Sequence, residues 1–368
     1  MTENLKTRSQ RKMANYYVVG LASVITLSTL ILLYDSFSMD MYQCAVDQHP
    51  GSANTTVSST RAFAGRPALF DIHGEDVLVL LHIQKTGGSG FGRHLIRHLD
   101  TGHFCTCVKG VKACKCPRPG TKDQQWLFSE FTLGWACGLH ADWTELTNCV
   151  PHMLNDMEHA SKHRRYFYMT VLRDPLARYL SEWQHVARGA TWKYALHMCD
   201  GRPPTSEELP KCYQGLNWVN VTLQEFLDCP HNLANNRQTR MLADLSLVGC
   251  YDRTKMPAAE RQQRILASAK ANLRRMAFFG ILEHQQEMQR LFESTFGLAF
   301  RQDFVQWDST RGVAIQDLLT DSQRRQIREV NSLDLALYDY AQELFLERVA
   351  AMKPRGKRRV TLTDHKKG

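Results

Sequence analysis

The chain has 368 residues, 43% hydrophobic and 23% charged, with a formal net charge of +9 and eleven cysteines. This is globular composition; it excludes a chain disordered throughout and leaves room for one large or two ordinary domains. The positive balance implies an acidic partner or substrate surface.

The first element is the uncharged, Val/Leu/Ile-rich run Tyr16 to Tyr34, which predicts a membrane-spanning signal-anchor helix over residues 16–34. Lys6, Arg8, Arg11 and Lys12 precede it and no Lys or Arg follows until Arg61. The positive-inside rule therefore places residues 1–15 in the cytoplasm and the rest in a lumenal or extracellular space. A cleavable signal peptide is the alternative, disfavoured by the length of the run and the lack of an Ala-x-Ala site. Residues 35–74 are polar and read as a stem, in which Cys44 stands alone. Asn54-Thr55-Thr56 and Asn220-Val221-Thr222 are glycosylation sequons. Ten cysteines lie between Cys105 and Cys250, as expected of a disulfide-stapled domain in an oxidising compartment. Cys105-x-Cys107 and Cys114-x-Cys116 lack the Cys-x2-Cys spacing usual for zinc, and no metal is expected. This address argues against nucleic acid as the acidic partner and favours an acidic polysaccharide.

The globular domain is expected over residues 75–352. A buried apolar strand from Val77 to Leu81 runs into His82-Ile83-Gln84-Lys85-Thr86-Gly87-Gly88-Ser89-Gly90, followed by a helix from Ser89 to Leu99. Glycines admit close approach of backbone N–H groups, and the helix start adds its positive dipole end, so the loop reads as a phosphate cradle. The lysine precedes the glycines, so this is not a Walker A loop. A second strand, Tyr166 to Leu172, leads through Arg173-Asp174-Pro175 into a helix to Ala187. A third, Ala277 to Leu282, precedes a helix from Gln285 to Phe296. Further helices are expected from Ala258 to Met276 and from Ser322 to Met352, the second with Ile327, Val330, Leu333, Leu337, Tyr340, Leu344 and Phe345 on one face. Three strand-loop-helix units imply an α/β fold, a central mainly parallel sheet flanked by helices, with ligands at the carboxyl ends of strands. Residues 353–368 form a basic tail expected to be disordered.

Four segments taken together are similar to the heparan sulfate 6-O-sulfotransferases. They are His82 to Gly88, Gly134-Trp135-Ala136-Cys137-Gly138-Leu139-His140-Ala141-Asp142-Trp143, Leu172 to Pro175 with Tyr179-Leu180-Ser181-Glu182-Trp183, and Leu233-Ala234-Asn235-Asn236-Arg237. The resemblance implies a P-loop-like sulfotransferase fold and a Golgi type II membrane enzyme. Such an enzyme moves a sulfuryl group from 3'-phosphoadenylyl sulfate (PAPS) to the 6-hydroxyl of glucosamine in heparan sulfate. It implies that Lys85 holds the 5'-phosphosulfate and stabilises the leaving phosphate, with Thr86, Gly87, Gly88, Ser89 and Gly90 as donors and His82, Ile83 and Gln84 beside them. Arg173 and Ser181 would bind the 3'-phosphate, an anion that suits an arginine fork. His140 would be the general base, Trp135, His185, Trp192 and Lys112 acceptor contacts, and Gln306, Thr310 and Arg311 a loop closing on the nucleotide.

The chain also departs from the family pattern. Ser89-Gly90 stands where two threonines are common, which predicts one fewer hydroxyl donor. The Cys105 to Gln125 stretch differs in spacing. Glu130 stands where a basic residue is often found, and its carboxylate is expected to repel a sulfated acceptor. Alternatives are a 2-O-sulfotransferase acting on uronic acid, which the His140 segment disfavours, and a non-catalytic receptor for acidic glycans, which would need no donor site. A nucleotide kinase is disfavoured by the absence of a Walker lysine. An oligomer is compatible with the sequence.

Overall fold

The computed structural model describes residues 70–109, 113–304, 316 and 319–352. The expected membrane span, the stem to residue 69, Cys44, Asn54 and the basic tail lie outside the described residues. Among those described, no helix is long and apolar enough to cross a membrane.

Four parallel strands form the central sheet. They are β1 (Asp76–Leu80), β3 (Leu127–Phe128), β4 (Arg165–Leu172) and β5 (Phe278–Ile281), in the order β3-β1-β4-β5. Leu78 pairs with Leu127 on one side and Phe167 on the other, and Val171 of β4 pairs with Gly280. Val77, Leu78, Val79, Phe278 and Phe279 are fully buried, because helices cover both faces of a parallel sheet. A separate antiparallel pair joins β2 (Leu99–Asp100) to β6 (Ala299–Phe300). Chain order reverses around β1, so the crevice at the carboxyl ends of β1 and β4 is the switch point where ligands bind in such sheets.

Helix α1 (Gly88–His98) buries Phe91, Leu95 and Ile96, one stripe at helical spacing. Helix α2 (Trp143–Met157) opens on a reciprocal capping box. Asp142 accepts the Glu145 amide at 3.1 Å and Glu145 accepts the Asp142 amide at 3.0 Å. Helix α3 (Pro175–Ala187) starts with proline at its first position and Asp174 capping the Ala177 amide at 2.8 Å. Short helices α4 (Leu223–Asp228) and α5 (Arg237–Leu242) follow, then α6 (Ala258–Arg275) and α7 (Gln285–Phe296). The main core also takes in Phe70 and Ile72, ahead of the expected start of the domain. A second cluster, including Tyr179, Leu180, Phe226 and Ile327, lies under α3 and α4.

The helix expected from Ser322 to Met352 is two helices, α8 (Asp321–Val330) and α9 (Ser332–Ala350). Asn331 breaks it: its side-chain amide donates to the Ile327 carbonyl at 2.8 Å, and its Oδ1 accepts the Asn236 amide at 3.2 Å. Asn236 Oδ1 in turn accepts the Leu333 and Asp334 amides at 2.9 and 3.2 Å, satisfying the orphan donors at the start of α9.

All ten cysteines from Cys105 to Cys250 are paired: 105–116, 107–114, 137–149, 199–250 and 212–229. The two Cys-x-Cys segments therefore bond to each other as a hairpin. Cys199, Asp200 and Cys250 converge closely enough to suggest a metal site, but both sulfurs are consumed by their disulfide.

Candidate active site

The turn after β1 is held by its own side chains. Thr86 is fully buried and its hydroxyl donates to the Ile83 carbonyl at 3.0 Å, so it is not one of the expected hydroxyl donors to a ligand. Ile83 and Gln84 are buried as well, at 0% and 2% exposure, so they build the loop rather than face a ligand with their side chains. Lys85 adopts φ 67° and Gly87 φ 89°, both left-handed, which turns the chain sharply into α1. The Gly90 amide donates to the Gly87 carbonyl at 2.9 Å, so it belongs to the first turn of the helix. Gly88 and Ser89, the first two helical residues, carry the amides that have no partner within a helix by geometry.

Arg173, at the end of β4, is brought against this loop: its guanidinium donates to the Lys85 carbonyl at 3.1 Å, and its backbone is bracketed by Gln238 at 3.0 and 2.9 Å. Burial lowers the proton affinity of Arg173, partly offset by Glu283 and Asp174. Lys85 is likewise lowered, by burial first and then by the positive charge of Arg188, with Glu182 opposing and Arg173 adding to the fall. Cations thus gather at the carboxyl ends of two neighbouring strands. Ser181 and His185 lie four residues apart on α3, sharing a face, and His185 is lowered by burial and then by Lys85 and Arg188.

His140 sits at φ 52° immediately before the α2 capping box. Its Nδ1 lies 3.2 Å from the His82 carbonyl oxygen, so Nδ1–H donates there and Nε2 is left as the basic nitrogen. Its ring is 4.6 Å from Trp135, 5.2 Å from Trp192 and 4.7 Å from His82. His185 stands 5.6 Å from Trp192. Burial, then the neighbouring His82, pushes His140 well below the ordinary histidine value; its bond to the His82 backbone opposes and Arg237 and His185 add to the fall. The Leu139 amide donates to the Tyr194 carbonyl at 3.0 Å, which ties the Trp192 segment to the base.

The structure therefore brings together Lys85, Arg173, His140, Trp135, His185 and Trp192. Lys112, Gln306, Thr310 and Arg311 lie outside the described residues. Asn220 is exposed, just before α4. Glu130 does not face an acceptor: its side chain is 7% exposed and its carboxylate is 2.6 Å from His82 Nδ1, because pairing inside the protein replaces hydration outside it.

Beneath the site lies a buried charge network that none of the motifs above includes as such. Glu182 accepts from Arg178 at 2.5 Å and from Arg237 at 2.8 and 2.5 Å, and Asp334 accepts the Thr239 amide at 2.8 Å. Burial would raise Glu182, but Arg237 and Arg178 outweigh it and hold the carboxyl below its ordinary value. The signal was present in Ser181-Glu182-Trp183 and Asn235-Asn236-Arg237, since charged residues in apolar surroundings are rarely left unpaired.

Residues 69–341 match the sulfotransferase family. The chain is 59% identical over 280 residues to the heparan-sulfate 6-O-sulfotransferase 1-B of Danio rerio, covering 76% of this chain and 68% of that one. It is 56% identical over 285 residues to the heparan-sulfate 6-O-sulfotransferase 1 of Homo sapiens, covering 77% and 69%. Over 323 residues it is 51% identical to the heparan-sulfate 6-O-sulfotransferase 3-B of Danio rerio, covering 87% and 76%.

Proposed function

The chain belongs to the heparan-sulfate 6-O-sulfotransferase family, and from that premise we propose that it transfers a sulfuryl group from PAPS to the 6-hydroxyl of glucosamine in heparan sulfate. The observation that carries this reading is the juxtaposition of a cationic cradle, Lys85 with Arg173, and a neutral histidine base walled by two tryptophans. The cradle fits an anionic donor, since the Gly88 and Ser89 amides and two cations converge there. When bound, PAPS supplies a sulfuryl group activated by its link to phosphate.

His140 Nε2 removes the proton of the acceptor hydroxyl, and the His82 carbonyl steadies the imidazolium that forms at Nδ1–H. Lys85 offsets the charge that grows on the leaving phosphate, and Arg173 fixes the loop that carries it while presenting a fork to the 3'-phosphate. Trp135 and Trp192 supply faces for the sugar ring, and Ser181 and His185 line the same side of α3. In this reading Gln306, Thr310 and Arg311 are nucleotide contacts and Lys112 is an acceptor contact. The protein is a Golgi type II membrane glycoprotein held by residues 16–34 and carrying glycans at Asn54 and Asn220, with the domain in the lumen. Five disulfides support that oxidising address.

Incubating the protein with labelled PAPS and desulfated heparan, followed by disaccharide mapping, tests the reading. Label is expected on the glucosamine 6-position; label on a uronic acid 2-hydroxyl would point to the 2-O alternative, and no transfer to a receptor. His140→Ala should reduce turnover by roughly 10²–10⁴-fold while donor binding persists. Because His140 is lowered from 6.5, it stays neutral as pH falls through that value, and the wild-type rate should decline only well below it. A rate that halves near pH 6.5 would contradict the assigned base.

A further inference from the structure

His82 is the hinge of this site, touching both of its halves. Its backbone carbonyl orients His140, its ring lies 14° from parallel to Trp135 at 6.2 Å, and its Nε2 is 3.4 Å from Ser89 Oγ in the cradle. A Cβ on Gly88 would lie 2.3 Å from the ring, so the ring and the glycine loop are packed directly against each other. What holds the ring is Glu130, from the turn after β3, at 2.6 Å from Nδ1. Glu130, His82, Trp135 and His140 together line one cavity of about 20 Å³. The second carboxylate oxygen of Glu130, Oε1, is buried without a hydrogen-bond partner among the described residues. A half-satisfied carboxylate costs stability when buried, and such costs are retained where the group has work to do.

The geometry points to Glu130 as a positioning residue of the transfer site: by accepting the Nδ1 proton of His82 it fixes the proton and the plane of the ring that joins the donor cradle to the general base. Glu130 touches neither substrate. It acts through His82, whose Nε2 is then presented to Ser89, the residue whose amide and hydroxyl stand at the helix start. Loss of the carboxylate lets the ring rotate and take the Nε2–H form that neutral imidazole prefers by itself, loosening Ser89 and the wall behind His140 together. This assignment rests on the sulfuryl-transfer reading above.

The test compares the full-length protein with Glu130→Gln, whose amide oxygen can still accept Nδ1–H, and Glu130→Met, which fills the volume without an acceptor. Glu130→Ala serves as a second acceptor-free variant should the methionine protein not fold. Imidazole 15N spectra are expected to show His82 protonated at Nδ1 in the wild type and in Glu130→Gln, and at Nε2 in the acceptor-free variant. Turnover should fall at least tenfold in the acceptor-free variant, with both KM values within threefold, and return to within threefold of wild type in Glu130→Gln. The proposal is overturned if His82 keeps its Nδ1 proton without an acceptor at 130, or if the acceptor-free variant turns over within twofold of wild type. A wild-type protein that transfers nothing to heparan would refute the functional reading alone, and the 15N spectra would still decide whether Glu130 sets the ring.

Discussion

Gly88 and Gly90 stand two residues apart in the first turn of α1 and answer to different constraints. A Cβ at Gly88 would meet the His82 ring at 2.3 Å, whereas at Gly90 it would meet nothing within 4 Å. Gly88→Ala should therefore destabilise the fold by about 1–3 kcal/mol through overpacking. Gly90→Ala, in the first turn of a helix, should stabilise it by about 0.5–1 kcal/mol through the entropy of the unfolded chain. Denaturant melts of the two variants check this, and shifts of the same sign would contradict it. Sequence alone treats the two glycines as equals, because the distinction depends on a ring packed back over the loop. The same limit applies to Glu130: its pairing with His82 spans 48 positions, so no local pattern could show that the carboxylate turns inward. Lys85 was legible from the strand-to-glycine loop around it, whereas Arg173 and His140 stood out only through the resemblance of their segments to the sulfotransferase family.

At the scale of elements, the long strands β1 and β4 were legible as continuous apolar runs, the signature of a buried parallel sheet. The two-residue strand β3 was not, since Leu127 and Phe128 have no period to read and owe their extended form to pairing with β1. Helix α2 was hidden by polar residues in its first turn, although its Asp142-to-Glu145 box is a start signal. The break between α8 and α9 was hidden for another reason: apolar periodicity continues through it, and the interruption at Asn331 is held by Asn236, 95 positions earlier in the chain. Asn236 holds φ 49° and offers one oxygen to two amides of α9. Asn236→Ala removes that cap and places alanine in the left-handed region, and should cost about 1–2 kcal/mol or more. The denaturant midpoint should fall with an unchanged slope; an unaltered midpoint would show that α9 does not depend on this cap.

Across the whole molecule the disulfides divide the labour between the two substrate sides. Donor-side groups, Lys85 in the turn after β1 and Arg173 at the end of β4, are joined by the Arg173 bond to the Lys85 carbonyl at 3.1 Å rather than by a disulfide. On the acceptor side, Trp135, His140 and Trp192 sit on loops, while His185 is carried by α3. Trp192 lies on an irregular strap between α3 and Cys199, and that strap is fastened by the Cys199–Cys250 bond and by the Met198 amide on Glu145 at 2.9 Å. The Cys137–Cys149 bond likewise ties the Trp135 to His140 loop to α2. Cys199–Cys250 closes a separation of 51 residues, for which chain entropy gives about 4 kcal/mol of stabilisation. A double replacement by alanine should therefore lower stability by up to about that amount. Where the protein remains folded, KM for the acceptor should rise severalfold while donor affinity holds, because only the strap is released. Steady-state kinetics with each substrate varied in turn reads that split. Equal movement of both constants would mean that the bond supports the sheet and the cradle as well, and that the two sides of the site are not anchored independently.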